Sequence, residues 1–172
     1  MRNIAKKDIF EKAILFLSSH YHKSVNKKPV LLHSIRVGMM LHQAGYKEDV
    51  VVSGFLHDVI EDMSVTPKEI QAMFGKHIAD IVSSVSFDTN VTGYVRRYKE
   101  QMSRAKKIGR DAFLVETADI FDNSRYFHRA SKTAKIRLRR KYAYFLSQTK
   151  PYLSQEPLWI KFRTYVLSLP QK

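Results

Sequence analysis

The sequence predicts an all-α protein with about eight to ten helices. Apolar residues recur at three- and four-residue spacings in nearly every segment, and the apolar–polar alternation typical of strands is absent. Glycine and proline separate these segments at intervals that suit helices. The chain has 172 residues, 44% of them hydrophobic, which predicts one globular domain over residues 1–172.

Each helix is predicted from its apolar stripe and its end signals. Pro29 begins the second helix and Gly45 follows its last residue, while Thr66 is a natural N-cap for a short helix that Gly75 ends. Pro151 is expected to stop the long basic helix before it. The predicted helices cover residues 3–19, 30–44, 47–62, 67–74, 76–86, 94–108, 110–130, 132–150 and 157–169.

The segment FLHDVIED, residues 55–62, places one imidazole and three carboxylates in an otherwise apolar helix. At helical spacing, His57 shares a face with Glu61, and Asp58 shares one with Asp62. Burying carboxylates this close together costs on the order of several kcal/mol unless something compensates their charge. A bound cation would compensate it. An exposed acidic helix end is the alternative, but it gives His57 no role.

Two more polar residues interrupt apolar helices: His33 in VLLHSIRV and Asp119 in FLVETADIFDN. Alone, a histidine in such a stretch is more often a core residue than a ligand. Joined with His57 and Asp58, however, they form a mixed nitrogen and oxygen set that suits a divalent first-row metal. Mn²⁺ is the first choice, with Mg²⁺, Fe²⁺ and Zn²⁺ as alternatives. Such an ion polarises a phosphoryl oxygen and lowers the pKa of a bound water.

Composition narrows the functional classes. The chain has no cysteine, which excludes disulfides and thiolate metal sites. No segment approaches the roughly 20 apolar residues of a membrane span, and no signal peptide is indicated, so we expect a cytoplasmic protein without a membrane partner. The net charge of +14, concentrated in residues 96–110 and 125–141, favours an anionic partner such as a nucleotide or, less favoured, a nucleic acid. A solvated basic face is an equal alternative.

The order of these motifs resembles the HD superfamily of metal-dependent phosphohydrolases. Within it, PVLLHSIRV, LHDVIED followed by FGKHIADIVSSVS, and ETADIFDNSR are similar to segments of the hydrolase domain of RelA/SpoT proteins. The resemblance covers roughly residues 20–130. The length of the chain is also similar to that of the stand-alone small alarmone hydrolases, including the metazoan SpoT homologue type. It implies an HD-domain helical bundle and a (p)ppGpp-type alarmone 3′-pyrophosphohydrolase of the stringent response.

The resemblance also implies roles for individual residues. The implied metal ligands are His33, His57, Asp58 and Asp119. The implied acidic pair that orients or activates the attacking water is Glu61 and Asp62. The implied substrate-side residues are Lys23, Ser24, Lys28, Asn123 and Arg125.

Three positions depart from the family pattern. Ser24 stands where the family has an arginine that contacts guanine, Glu116 replaces a lysine before the third motif, and Ser34 replaces a proline. A serine cannot stack on a purine as a guanidinium does. We therefore expect a nucleotide 3′-pyrophosphate substrate with weaker discrimination for guanine.

Two other functions are also compatible with the sequence. One is a nucleotidase or other phosphohydrolase of different specificity on the same fold. The other is a basic nucleic-acid-binding or regulatory protein with a vestigial HD site. A vestigial site normally loses a ligand, and none of the four is lost here. The sequence makes no prediction about oligomeric state.

Overall fold

The computed structural model describes residues 8–21 and 29–170, and these two ranges contain ten α-helices and no strand. The all-α prediction is confirmed for this part of the chain. None of the helices described there combines the length and apolar character needed to cross a membrane. The helices are α1 (Ile9–His20), α2 (Val30–Gln43), α3 (Glu48–Leu56), α4 (Val59–Met63), α5 (Pro67–Phe74), α6 (Lys76–Val85), α7 (Tyr94–Ile108), α8 (Arg110–Ser124), α9 (Lys132–Leu153) and α10 (Pro157–Ser168).

Side-chain hydrogen bonds cap the N-terminus of α5. The Thr66 side chain accepts a hydrogen bond from the Glu69 backbone N–H, and the Glu69 carboxylate accepts one from the Thr66 backbone N–H. Pro67 occupies the first helical position, where its missing N–H costs nothing. This reciprocal capping box confirms the predicted beginning of the helix.

Helix α3 lies at the centre of the fold. Every residue from Val50 to Leu56 is buried, and α1, α2, α6 and α8 all pack against this helix. Gly38 of α2 and Gly54 of α3 allow their two helices to approach closely, because a Cβ atom on Gly54 would lie 3.2 Å from the Gly38 Cα. The approach of α2 and α8 to α3 positions the residues of the candidate site.

The predicted continuous helix over residues 47–62 is wrong, because the structure interrupts it at His57 and Asp58. The His57 Nδ1–H donates a hydrogen bond to the Gly54 carbonyl at 2.9 Å, which is the acceptor that the Asp58 N–H would use in a continuing α-helix. Asp58 has φ −95° and ψ −5°, and a new helix then begins at Val59. The break lies at the HD pair itself.

Two other helix ends differ from the prediction. Pro151 lies inside α9 and does not stop it, since the helix continues to Leu153. The carbonyl that Pro151 leaves without a donor belongs to Ser147, which is exposed to water, and buried Leu153 anchors the last turn. The helix predicted over 110–130 ends at Ser124, and a 3₁₀ turn follows at Phe127–Arg129.

Candidate metal centre

Four side chains converge where α2, the break between α3 and α4, and α8 meet. His33 Nε2 lies 3.2 Å from His57 Nε2, 3.0 Å from Asp119 Oδ1 and 3.6 Å from Asp58 Oδ2. His57 Nε2 lies 3.3 Å from Asp58 Oδ1 and 3.5 Å from Asp119 Oδ1. The fold thus brings together residues that are separated by up to 86 positions in the sequence.

The donor atoms are arranged so that one cation could contact them together. His33, His57 and Asp58 are buried, and their ligand atoms all lie within 4.8 Å of one another. Both imidazoles present Nε2 to the centre, because His33 Nδ1 contacts Asp122 Oδ2 at 2.7 Å and His57 Nδ1 contacts the Gly54 carbonyl. Two nitrogens bound at about 2.1 Å to one ion lie about 3.0–3.4 Å apart at ordinary coordination angles, and the two Nε2 atoms lie 3.2 Å apart. The residues present therefore fit a divalent metal.

The same cluster shows strong electrostatic coupling. Burial lowers the pKa of His57, but the charges of Asp58 and Asp119 outweigh this effect and raise it to about 10. Burial raises the pKa of Asp119, yet its hydrogen bonds with His33 and His57 hold that pKa well below its usual range. A protonated His57 imidazole therefore helps to balance the carboxylates in the metal-free protein. Binding of a metal would release this proton.

Glu61 and Asp62 lie on α4, immediately after the HD pair. Glu61 Oε1 accepts a hydrogen bond from the Phe87 backbone N–H at 2.6 Å, which holds the side chain in place. Burial raises the pKa of Glu61 to about 7, and the nearby carboxylates of Asp58 and Asp119 contribute to the rise. A carboxyl group with a pKa near neutrality can accept a proton and return it. Asp62 is half-buried beside it.

The predicted substrate-side residues have different positions. Asn123 lies at the centre, where its Nδ2 donates to Asp119 Oδ1 at 2.6 Å. Arg125 is half-exposed, with its Nε 3.2 Å from Asp122 Oδ1. The remaining three, Lys23, Ser24 and Lys28, lie outside the described residues.

Two residues beside the centre, Arg36 and Asp122, were not predicted from the sequence. Asp122 is buried and contacts His33, and Arg36 donates to both of its oxygens, from Nε at 2.8 Å and from Nη2 at 2.7 Å. One signal in the sequence could have indicated this pair. Arg36 and Asp122 each interrupt an apolar stretch three residues after a proposed ligand, His33 and Asp119.

A cavity of about 520 Å³ lies between α7 and α9. Its lining includes Tyr94 and Tyr98, whose rings are parallel within 6° at a centroid distance of 6.5 Å. Lys141 lines it too, with Nζ 4.6 Å from the Tyr98 ring centroid, and Arg137 lies over Tyr94. Burial lowers the pKa of Lys141, but the charges of Glu116, Asp119 and Glu61 raise it overall. The Lys141 ammonium group is therefore within electrostatic reach of the metal-centre carboxylates.

Comparison with known proteins places the chain in a family. The HD domain family model matches residues 13–144, which include all four converging side chains. The chain belongs to the HD domain family. Solved structures show the same fold: a metazoan ortholog of SpoT that hydrolyses ppGpp matches with a TM-score of 0.71 and 21% identity, covering 92% of this chain and 94% of that one. A Listeria monocytogenes protein matches with a TM-score of 0.65 and 22% identity, covering 78% and 90%.

Curated relatives of this HD protein include enzymes named guanosine-3′,5′-bis(diphosphate) 3′-pyrophosphohydrolase MESH1. The Danio rerio enzyme is 32% identical over 112 residues, which cover 64% of this chain and 62% of that protein. The Mus musculus enzyme is 30% identical over 123 residues, which cover 67% and 68%. A probable enzyme of the same activity from Mycoplasma pneumoniae is 33% identical, and the match covers 49% of this chain and 11% of that protein.

Proposed function

We propose that the chain is a metal-dependent phosphohydrolase that removes pyrophosphate from the 3′ position of a (p)ppGpp-type nucleotide. The observation that carries this proposal is the convergence of two imidazole Nε2 atoms and two carboxylates at contact distances of 3.0–3.6 Å. The names of the curated relatives support the substrate class.

We assign the proposed metal ligands to His33, His57, Asp58 and Asp119. Mixed imidazole and carboxylate ligands suit Mn²⁺ first, with Mg²⁺, Fe²⁺ and Zn²⁺ as alternatives. When bound, the ion supplies a polarised phosphoryl oxygen and a coordinated water of lowered pKa.

Side chains of the protein orient the attacking water and accept its proton. Glu61 and Asp62 orient the attacking water, and Glu61, a carboxylate beside the proposed ligand Asp58, accepts its proton. Asn123 keeps the Asp119 carboxylate oriented through the 2.6 Å hydrogen bond from its Nδ2. The backbone N–H of Phe87 holds Glu61 in the position from which it acts.

The cavity between α7 and α9 is suited to the rest of the nucleotide. Its lining includes Lys99, Arg137, Arg140 and Lys141, whose positive charges attract phosphate, while the parallel tyrosines offer flat apolar surface. Lysine and arginine contacts to phosphate do not distinguish bases. Binding through these four side chains is therefore consistent with weaker discrimination for guanine.

Metal content and product analysis test the proposal together. The purified protein, loaded with Mn²⁺, should bind about one ion per chain and release pyrophosphate from guanosine 3′-pyrophosphates. His57→Ala should lose both metal and activity. His77→Ala, a control at an exposed histidine outside the centre, should retain both. Metal binding without turnover of any nucleotide would contradict the assignment.

The alternatives predict different results in the same experiment. A nucleotidase would release orthophosphate from simple mononucleotides and leave 3′-pyrophosphates intact. A basic binding protein would retain single-stranded RNA in a salt-dependent manner and would not need the metal. We also infer that residues 1–172 form one domain, because α10 packs against α8 and α9 within the described residues.

A further inference from the structure

Asp122 is a carboxylate that lies beside the proposed ligands but faces a different set of partners. Its side chain is buried, and its Oδ2 lies 2.7 Å from His33 Nδ1. Arg36 donates to both carboxylate oxygens, from Nε to Oδ1 and from Nη2 to Oδ2. Arg125 adds a longer contact of 3.2 Å from the more exposed side. The carboxylate is therefore held by hydrogen bonds on the side away from the metal centre.

These contacts determine which nitrogen of His33 carries a hydrogen. A guanidinium group can only donate hydrogen bonds, so both Asp122 oxygens act as acceptors in the pair with Arg36. His33 Nδ1 must then donate its hydrogen to Asp122. In the neutral ring this leaves the lone pair on Nε2, which is the nitrogen that faces His57, Asp58 and Asp119.

Arg36 has a second effect on the same carboxylate. Its planar fork binds Asp122 in a bidentate manner, so rotation of the carboxylate toward the centre would break two hydrogen bonds to a buried charge. The arrangement keeps an additional acid near the centre without letting it compete for the metal. Lysine could not replace Arg36 here, because an ammonium group has no planar fork.

We propose that Asp122 is a positioning residue which, held by Arg36, keeps the His33 imidazole in the tautomer and orientation that present Nε2 to the metal. This inference rests on the proposed function, since it assumes a metal at the His33 and His57 cluster. Mutation of a group that orients a ligand histidine through its second nitrogen typically lowers metal affinity by about 10- to 100-fold.

Asp122→Asn gives the most direct test, because an amide can donate its own hydrogen to His33 Nδ1 and so favour the other tautomer. Calorimetry with Mn²⁺ alone should show an affinity about 10- to 100-fold weaker than that of the wild type. Histidine ¹⁵N spectra of the Zn²⁺-loaded wild-type protein should show the hydrogen on His33 Nδ1. Wild-type spectra with the hydrogen on Nε2 would overturn the proposal.

Two further variants keep the test decisive. Asp111→Asn removes a carboxylate that lies 3.4 Å from the exposed His77, and it should leave Mn²⁺ affinity unchanged. If Asp122→Asn fails to fold, Arg36→Gln replaces it and should also weaken Mn²⁺ binding. Wild-type metal affinity in a folded Asp122→Asn or Arg36→Gln protein would overturn the positioning role. Absence of metal binding in the wild type would instead refute the proposed function, and the two failures are thereby distinguished.

Discussion

Replacing Gly54 with alanine should weaken the fold and the metal site together. The added Cβ atom would lie 3.2 Å from the Gly38 Cα and 3.4 Å from the Gly38 N, and it would overlap the Leu41 side chain. Leu41 is fully buried and has little room to move, and the Gly38 contacts are with backbone atoms. Relief of the overlap therefore requires the Leu41 side chain to move and the Gly38 backbone of α2 to shift away from α3 by a few tenths of an ångström.

The magnitude follows from packing. Extra methyl groups in a filled core cost about 1–3 kcal/mol. For a chain of this size each kcal/mol lowers the Tm by about 2–4 °C, so the expected fall is about 2–12 °C. Because α2 carries His33 and α3 ends just before His57, separation of the helices would also lengthen the 3.2 Å distance between the two Nε2 atoms. Metal affinity should fall as this distance increases.

Thermal unfolding of the metal-free protein and calorimetry with Mn²⁺ measure the two effects separately. Gly45→Ala is the matched control: no atom lies within 4 Å of its added Cβ, but its φ of 75° strains any other residue. This control should lose about 1 kcal/mol and keep its metal affinity. A Gly54→Ala protein with wild-type Tm and wild-type affinity would refute the packing argument.

The other predictions address single residues. Glu61→Gln should keep metal binding and lose about 10²–10⁴-fold in kcat, as measured with Mn²⁺ at saturating substrate; equal loss of metal would make Glu61 a ligand. Burial raises the pKa of Asp122, but its hydrogen bonds with Arg36 and His33 lower that pKa overall to about 2. The Asp122 carboxylate should therefore contribute about 2 kcal/mol to the free energy of unfolding above pH 4, and this contribution should disappear as the pH falls toward 2. Acid unfolding measures this loss. Thr66→Ala should cost about 1 kcal/mol in urea unfolding, because it breaks the capping box. Ionisation of Glu116 should raise the KM of the wild-type protein for an anionic nucleotide above pH 8, and Glu116→Gln should abolish this rise. A rise in KM that persists in the variant would contradict the titration assigned to Glu116.

Periodicity and end signals predicted most of the fold because they act locally. Thr66 with Pro67 begins α5, and Gly45 follows α2, as the sequence indicated. The errors arose where a side chain altered the local backbone pattern. The His57 ring donates a hydrogen bond to the Gly54 carbonyl and so interrupts the expected helix. The spacing of apolar residues does not predict this hydrogen bond.

For the candidate site, the sequence indicated the converging side chains but not their supports. His33 and Asp119 stood out because each is a polar residue in an apolar stretch. The pairing of Arg36 with Asp122 spans 86 positions, and only the packing of α2 against α8 creates it. Contacts of this kind depend on tertiary structure, so residue spacing alone could not predict them.

Glu116 illustrates how burial can change the meaning of a charge in the sequence. As an ionised residue it would repel a polyphosphate, and the lysine it replaces in the family pattern would attract one. In the structure Glu116 is buried, its Oε2 accepts a hydrogen bond from Gln101 Nε2 at 3.0 Å, and burial raises its pKa to about 8. The neutral form therefore predominates at pH 7, and repulsion begins only as the pH rises through 8. Burial lowers the pKa of the nearby Lys141, but the acidic groups around it, Asp119 among them, raise that pKa overall, so Lys141 keeps its positive charge at pH 7. At neutral pH Lys141 on α9 thus adds to the attraction of this region for phosphate, and the acid at position 116 does not cancel it.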